Sequence, residues 1–213
     1  MLSYAEVKAL AVGNPLIKKR VEIANELDRL SILKRERVLR FESLKLELEA
    51  LPSKIEAQEV ILERARLDMA FLGEQEAPPE LSPDERRAFR ERLEIALRSN
   101  ALASEERELF EHRGFMLVLG AGMKADEPFI WLTREGKYHL ELGEASLGYL
   151  PRINNFLDSF KKHLERLEEG YEALINRRRD IEIALSERDE YSQRIEELKA
   201  ELQQLDKKLG VTQ

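Results

Sequence analysis

The last third of this chain repeats an apolar residue at every third or fourth position. Ile153, Leu157, Phe160, Leu164, Leu167, Tyr171, Leu174, Ile181 and Leu185 keep the spacing, with Arg178 as the one charged member. After a skip near Arg188–Tyr191 it resumes at Ile195, Leu198, Leu202, Leu205 and Leu209. A 3-4 repeat is the seam of a coiled-coil helix. No proline follows Pro151, so the reading is one helix on the order of 85–90 Å long. A helix of that length needs a partner to cover its seam.

The partner lies in the first third, from Asn14 to about Leu72. Its seam runs Ile23, Leu27, Leu30, Lys34, Arg37, Phe41, Leu44, Leu48, Leu51, Ile55, Gln58, Leu62, Ala65, Met69, Leu72, and only Lys34, Arg37 and Gln58 interrupt it. Two seams of similar length predict an antiparallel hairpin within one chain, with 72 near 153 and 23 near 202. The rival is a parallel homodimer through each seam. Intramolecular pairing has the higher effective concentration and is preferred. The fold class expected is therefore mainly α with a small β part: a long antiparallel coiled-coil hairpin carrying a small α+β tip domain. The expected divisions are 1–13 for a short N-terminal helix, 14–72 and 146–213 for the coiled-coil helices, and 73–145 for the tip.

Composition agrees. Charged residues make up 36% and aromatic residues 7%, as long solvated helices require. With no cysteine, disulfide frameworks and thiolate metal sites are excluded. There is no signal peptide and no apolar run near membrane length, so the expectation is a cytoplasmic protein with no membrane partner, a monomer or weak dimer. The net charge of −7 argues against a dedicated nucleic-acid coat protein.

Local signals fill in the rest. Ser3 with Glu6 is a capping box for a short helix that ends at Gly13. Asn14 caps the next helix, with Pro15 at its first position. Pro52 predicts a kink rather than a break, because the apolar phase continues from Leu51 to Ile55; Ser53 with Glu56 is a further capping box. Gly170 falls about opposite Pro52, where a glycine would let both helices bend. Residues 73–81 read as a loop. Ser82-Pro83-Asp84-Glu85 starts a helix whose inner face is Ala88, Phe89, Leu93, Ala96 and Leu97, and the pattern fades after Ser99-Asn100. Phe115–Leu119, Phe129–Thr133 and Tyr138–Leu142 then read as a three-stranded antiparallel meander, with a tight turn at Glu135-Gly136 and turn chemistry at Gly120-Ala121-Gly122.

Three stretches carry a resemblance. The run from Ser3 to Lys19, with its Gly13-Asn14-Pro15 corner, is one. His112-Arg113-Gly114-Phe115-Met116-Leu117 is another. Leu142-Gly143-Glu144-Ala145-Ser146-Leu147-Gly148 followed by Arg152-Ile153-Asn154-Asn155 is the third. They are similar to a C-terminal coiled-coil region of very large phage, plasmid and integrative-element proteins. Those proteins join an SNF2-type helicase to an N6-adenine DNA methyltransferase-like domain. The resemblance implies an accessory module whose partners are helicase or methyltransferase domains of the same or a neighbouring polypeptide. The motor and methyltransferase motifs themselves are absent, so no catalytic residue carries over.

Candidate sites are few. Lys18, Lys19, Arg20, Lys34, Arg35 and Arg37, with Arg29 and Arg40, make the first helix positive near its start. They read as cross-helix ion pairs or as a weak DNA contact. Consecutive Arg177-Arg178-Arg179 point in different directions, and Arg178, on the seam, is expected to reach Glu47 or Glu49. Residues 73–145 hold 16 acidic and 10 basic side chains, which points the tip to protein rather than DNA. Phe129, Trp131 and Tyr138 are its candidate contacts. His112, His139 and His163 stand apart without ligand spacing, so no catalytic, cofactor or metal site is expected. The expectation is a non-catalytic spacer and protein or DNA contact; a free-standing coiled-coil adaptor is the alternative.

Overall fold

The computed structural model describes residues 13–75, 81–100, 105–121, 128–143 and 145–210. The expected helix over 1–13, most of the loop at 73–81, and Gly122 lie outside these residues. The protein is mainly helical with a small antiparallel sheet. Helix α1 spans Pro15–Glu74 and α2 spans Pro83–Asn100. Strands β1 (Arg107–His112), β2 (Phe115–Leu119), β3 (Phe129–Thr133) and β4 (Lys137–Glu141) follow. A 3-10 turn at Ser146–Gly148 leads to α3 (Tyr149–Asp158), α4 (Phe160–Ser186) and α5 (Glu190–Leu209). The chain divides into two compact units, Met1–Pro52 with Arg177–Gln213, and Ser53–Asn176. Helix α1 is unbroken across Pro52, so the Ser53/Glu56 pair starts no new helix there.

In the first unit the helices pair antiparallel. Arg20 meets Asp206 at 2.6 Å, Arg194 meets Glu26 at 3.2 Å, and Arg177 meets Glu47 at 2.6 Å. Ile23, Leu198 and Leu205 are buried together, with Leu27, Leu30 and Leu202 around them. The partner of Glu47 is Arg177, which reaches it with two nitrogens. Arg178 instead bonds Glu182 one turn along its own helix.

The second seam, expected from sequence to be one helix, is three. It is interrupted at Ser159, whose hydroxyl donates to the Asn155 carbonyl at 2.6 Å, ending α3. It is interrupted again after Ser186, where Asp189 caps α5 by accepting from the amides of Tyr191 and Ser192. The apolar repeat hid the first break because Leu157 and Phe160 are both buried across it. The second break explains the charged positions in the opposite seam. Arg37 donates to the carbonyls of Glu187 and Arg188 at 2.9 and 2.7 Å, and Lys34 lies 4.0 Å from Asp189. Carbonyls at a helix end have no partner in the helix, so a guanidinium in the seam suits that layer where leucine does not.

The second unit packs helices on one face of the sheet. The sheet has four strands in the order β1-β2-β3-β4, each antiparallel to the next, and not the three expected. β1 escaped the pattern because it is an edge strand with charged Arg107, Glu108 and Glu111 exposed and an irregular register between Glu108 and Phe110. Charges and bulges of this kind guard strand edges. Arg113 and Gly114, with φ of 52° and 76°, form the two-residue turn into β2, as a right-twisted hairpin demands. Phe115, Leu117, Leu119, Ile130, Leu132, Tyr138 and Leu142 face the core. Leu93, Ala96 and Leu97 of α2, Ile153 and Leu157 of α3, Phe160 of α4 and Ala65 of α1 close it. Gly170 lies 3.8 Å from the Gln58 side chain, and Gln58 donates to the Leu167 carbonyl at 3.4 Å, which accounts for its place in the seam.

Candidate contact surfaces

The six basic residues proposed for DNA are largely committed to the helix pair. Arg20 is bonded to Asp206, Lys19 lies 4.0 Å from Glu201, Lys34 faces Asp189, and Arg37 closes the helix break while covering the Phe41 ring at 4.9 Å. Lys18 and Arg35 are exposed. Exposed pairs of this kind contribute little singly, yet together the charges fix direction and register. Phosphate would have to compete with acids already in place.

The three candidate aromatics do not share a face. On a strand, successive side chains point to opposite sides. Trp131 is paired with His139 and Leu132 with Tyr138. Phe129, Trp131 and His139 therefore cluster on the outer face, with ring centroids 4.7–6.0 Å apart. The Lys137 ammonium sits 4.7 Å over Trp131 and is held by Glu106 at 2.6 Å. Tyr138 is only 4% exposed on the core face. It is not available for contact.

Tyr138 belongs instead to a buried polar knot that the sequence reading passed over. Asp68 of α1 is 0% exposed. One of its oxygens accepts from Arg134 Nη1 and the Glu135 amide, both at 3.1 Å. The other accepts from the Gly136 amide at 2.9 Å and the Tyr138 hydroxyl at 2.6 Å. Burial, with the Asp68 hydrogen bond second, pushes the Tyr138 phenol well above its usual range. Arg134 also stacks over Phe71 at 3.7 Å. Four donors on one carboxylate leave it no vacant lone-pair direction for a substrate, so the knot ties the β3–β4 turn to α1. The signal in the sequence was an acid beside seam residue Met69, at a position a charged residue also fills when exposed.

Two histidines are structural as well. His112 Nε2 lies 2.8 Å from Asn154 Oδ1 and its ring meets Phe89 edge-on. His163 packs among Tyr138, Phe156 and Phe160. Burial lowers the pKa of each; the Asn154 bond opposes this at His112, and Arg166 adds to it at His163. A base whose folded pKa is depressed binds its proton more readily in the unfolded chain. Stability from these groups is thus present at neutral pH and lost as pH falls through the ordinary histidine value of about 6.5 towards the depressed folded values. The thermal midpoint should fall between about pH 7.5 and about pH 5.5, and His112→Gln/His163→Gln should flatten that slope. A midpoint that rises on acidification would contradict the assignment.

A second apolar line, outside the seam, runs along α1 in the first unit. Ile32, Leu39 and Leu46 are 59%, 57% and 68% exposed. They recur every seven residues, two places after the seam residues Leu30, Arg37 and Leu44. In a solitary hairpin that line is the most water-facing and is normally polar. The same phase recurs in the sequence at Val60 and Leu67, also exposed. Among the described residues no set of three His, Cys, Asp or Glu is placed to hold a metal ion, and no helix is long and apolar enough to cross a membrane. Comparison with family models, curated proteins and solved structures finds no match to this chain.

Proposed function

We propose that this chain is a non-catalytic coiled-coil accessory module of the cytoplasm that holds a protein partner by its first helix. The observation that carries the reading is the Ile32–Leu39–Leu46 line. A helix that has filled one heptad seam internally and repeats aliphatic residues at the same period elsewhere is built to accept another helix. Exposed Arg35, Glu36, Arg40, Glu42 and Glu49 beside that line supply the mixed-sign flank by which coiled coils select partner and register. The partner is therefore a helix of a coiled-coil type with charges of both signs. On the resemblance, we propose that this helix belongs to a polypeptide bearing the helicase or methyltransferase domains. A free-standing adaptor is the second reading, and the commitment of Arg20, Lys34 and Arg37 to intramolecular contacts favours it over direct DNA binding.

Binding to those domains by sedimentation, with wild type and with Ile32→Glu/Leu39→Glu/Leu46→Glu, separates the readings. The variant should stay folded, because all three side chains are exposed, and should lose the partner. Retained binding would move the contact elsewhere. Duplex DNA should bind weakly, at the level of non-specific phosphate contact, about 10⁻⁴–10⁻⁶ M. Tight DNA binding that survives Lys18→Ala/Lys19→Ala/Arg20→Ala would overturn the protein-contact assignment.

A further inference from the structure

The Ser53–Asn176 unit holds a second surface, independent of the α1 line. A groove of about 510 Å³ lies between the start of α2 and the 3-10 turn with α3. One wall is Arg86, Arg87 and Arg90; the other is Leu147, Leu150 and Pro151. The α2 start is fixed by reciprocal bonds: the Glu85 amide donates to Ser82 Oγ at 3.2 Å and the Ser82 amide donates to the Glu85 carboxylate at 2.7 Å. The first turn is thereby held, and the arginines one turn on project from a defined frame.

These arginines differ from three other guanidinium groups of the unit, which are tied to acids. Arg66, Arg113 and Arg134 are each bonded to an acid, at 2.9, 2.6 and 3.1 Å. Arg86, Arg87 and Arg90 have no such partner among the described residues. Asn154 also lines the groove, and its Oδ1 is engaged by His112. Its remaining polar capacity is the donor amide. The polar side of the groove thus offers chiefly donors, three of them cationic. The opposite wall is apolar, and Leu147 is 74% exposed.

We infer that this groove binds an acidic peptide segment with an aliphatic or aromatic anchor. Carboxylates match the guanidinium fork in two parallel bonds, and arginine clusters recognise acidic motifs in this way. The anchor fills the space beside Leu147 and Pro151. Nucleic acid fits less well. A phosphodiester backbone has nothing for the apolar wall of Leu147, Leu150 and Pro151.

The test is selection from a random peptide library on the full chain, followed by anisotropy titration of the enriched peptide and of a short duplex DNA. Enriched peptides should combine several acids with a leucine- or phenylalanine-type residue. Arg86→Glu/Arg87→Glu/Arg90→Glu should weaken the peptide at least about tenfold, the scale of one lost charge-assisted contact. Leu147→Ser should weaken it by a smaller factor that does not depend on salt. Circular dichroism of both variants should match wild type, because Arg86, Arg87 and Leu147 are exposed and Arg90 is half-buried at the rim. Three results overturn the proposal: no enrichment or enrichment without acidic bias, peptide binding indifferent to charge reversal, or duplex DNA binding tighter than the peptide and lost in the reversed variant.

Discussion

Asp68→Ala should destabilise the sheet-bearing unit by about 3–5 kcal/mol, the cost of removing one partner from a buried, charged hydrogen-bond set. The loss arises from what is left behind. The Gly136 amide and the Tyr138 hydroxyl bond Asp68 in the interior, and each buried donor without an acceptor costs about 1–3 kcal/mol. The Arg134 side chain is 27% exposed and can turn to water, so its contribution is smaller. Asp68→Asn keeps the shape but swaps one acceptor for a donor, and should cost about 1–3 kcal/mol. Tyr138→Phe removes a single donor and should cost less again. Because the donors share one carboxylate, the effects should not add. Urea unfolding followed by Trp131 fluorescence reads this directly, since Trp131 lies on β3 of the same unit. A loss under about 1 kcal/mol for Asp68→Ala would show that water replaces the carboxylate.

Gly114→Ala should cost about 2–5 kcal/mol, from two sources that reinforce each other. The left-handed conformation at φ 76° disfavours a side chain by about 1–2 kcal/mol. The new methyl would lie 2.3 Å from Cε1 and Cζ of Phe71, and relieving such overpacking takes about 1–3 kcal/mol. Phe71 cannot yield freely: it meets Phe115 edge-on and carries Arg134 on its face. Gly73→Ala is the control. It lies in α1 with nothing within 4 Å of a new Cβ, and should be neutral or stabilise by up to about 1 kcal/mol. Equal losses from both changes would refute the steric argument.

The long-range architecture was legible because it rests on periodicity. Leu44, Leu51, Leu62, Ile181 and Leu198 are all buried at seam positions, and the antiparallel pairing of Arg20 with Asp206 and Glu26 with Arg194 keeps the expected register. The reading failed where the chemistry is local or two-sided. Ser159 ends a helix by a side-chain bond that apolar spacing does not record. β1 hides under edge charges. Tyr138 was grouped with Trp131 by type, whereas strand parity and register separate them. Asp68 reveals its role only once the β3–β4 turn is brought to it. Ile32, Leu39 and Leu46 were present at heptad spacing, but assigning one seam to α1 drew attention from a second. Arg86, Arg87 and Arg90 were masked by the acidic balance of their region, since net charge does not show how charges sort onto faces.

The break between α4 and α5 acts as an alignment pin. A uniform leucine seam can slide by one heptad at little energetic cost, because each layer resembles the next. Here, among the described residues, one layer places a guanidinium opposite two carbonyls, those of Glu187 and Arg188. Slipping α5 along α1 by seven residues would set Arg37 against a leucine layer and leave both carbonyls unmatched. The polar layer thus holds the helix pair to a single registration, as one notch holds a key that smooth flanks would let turn.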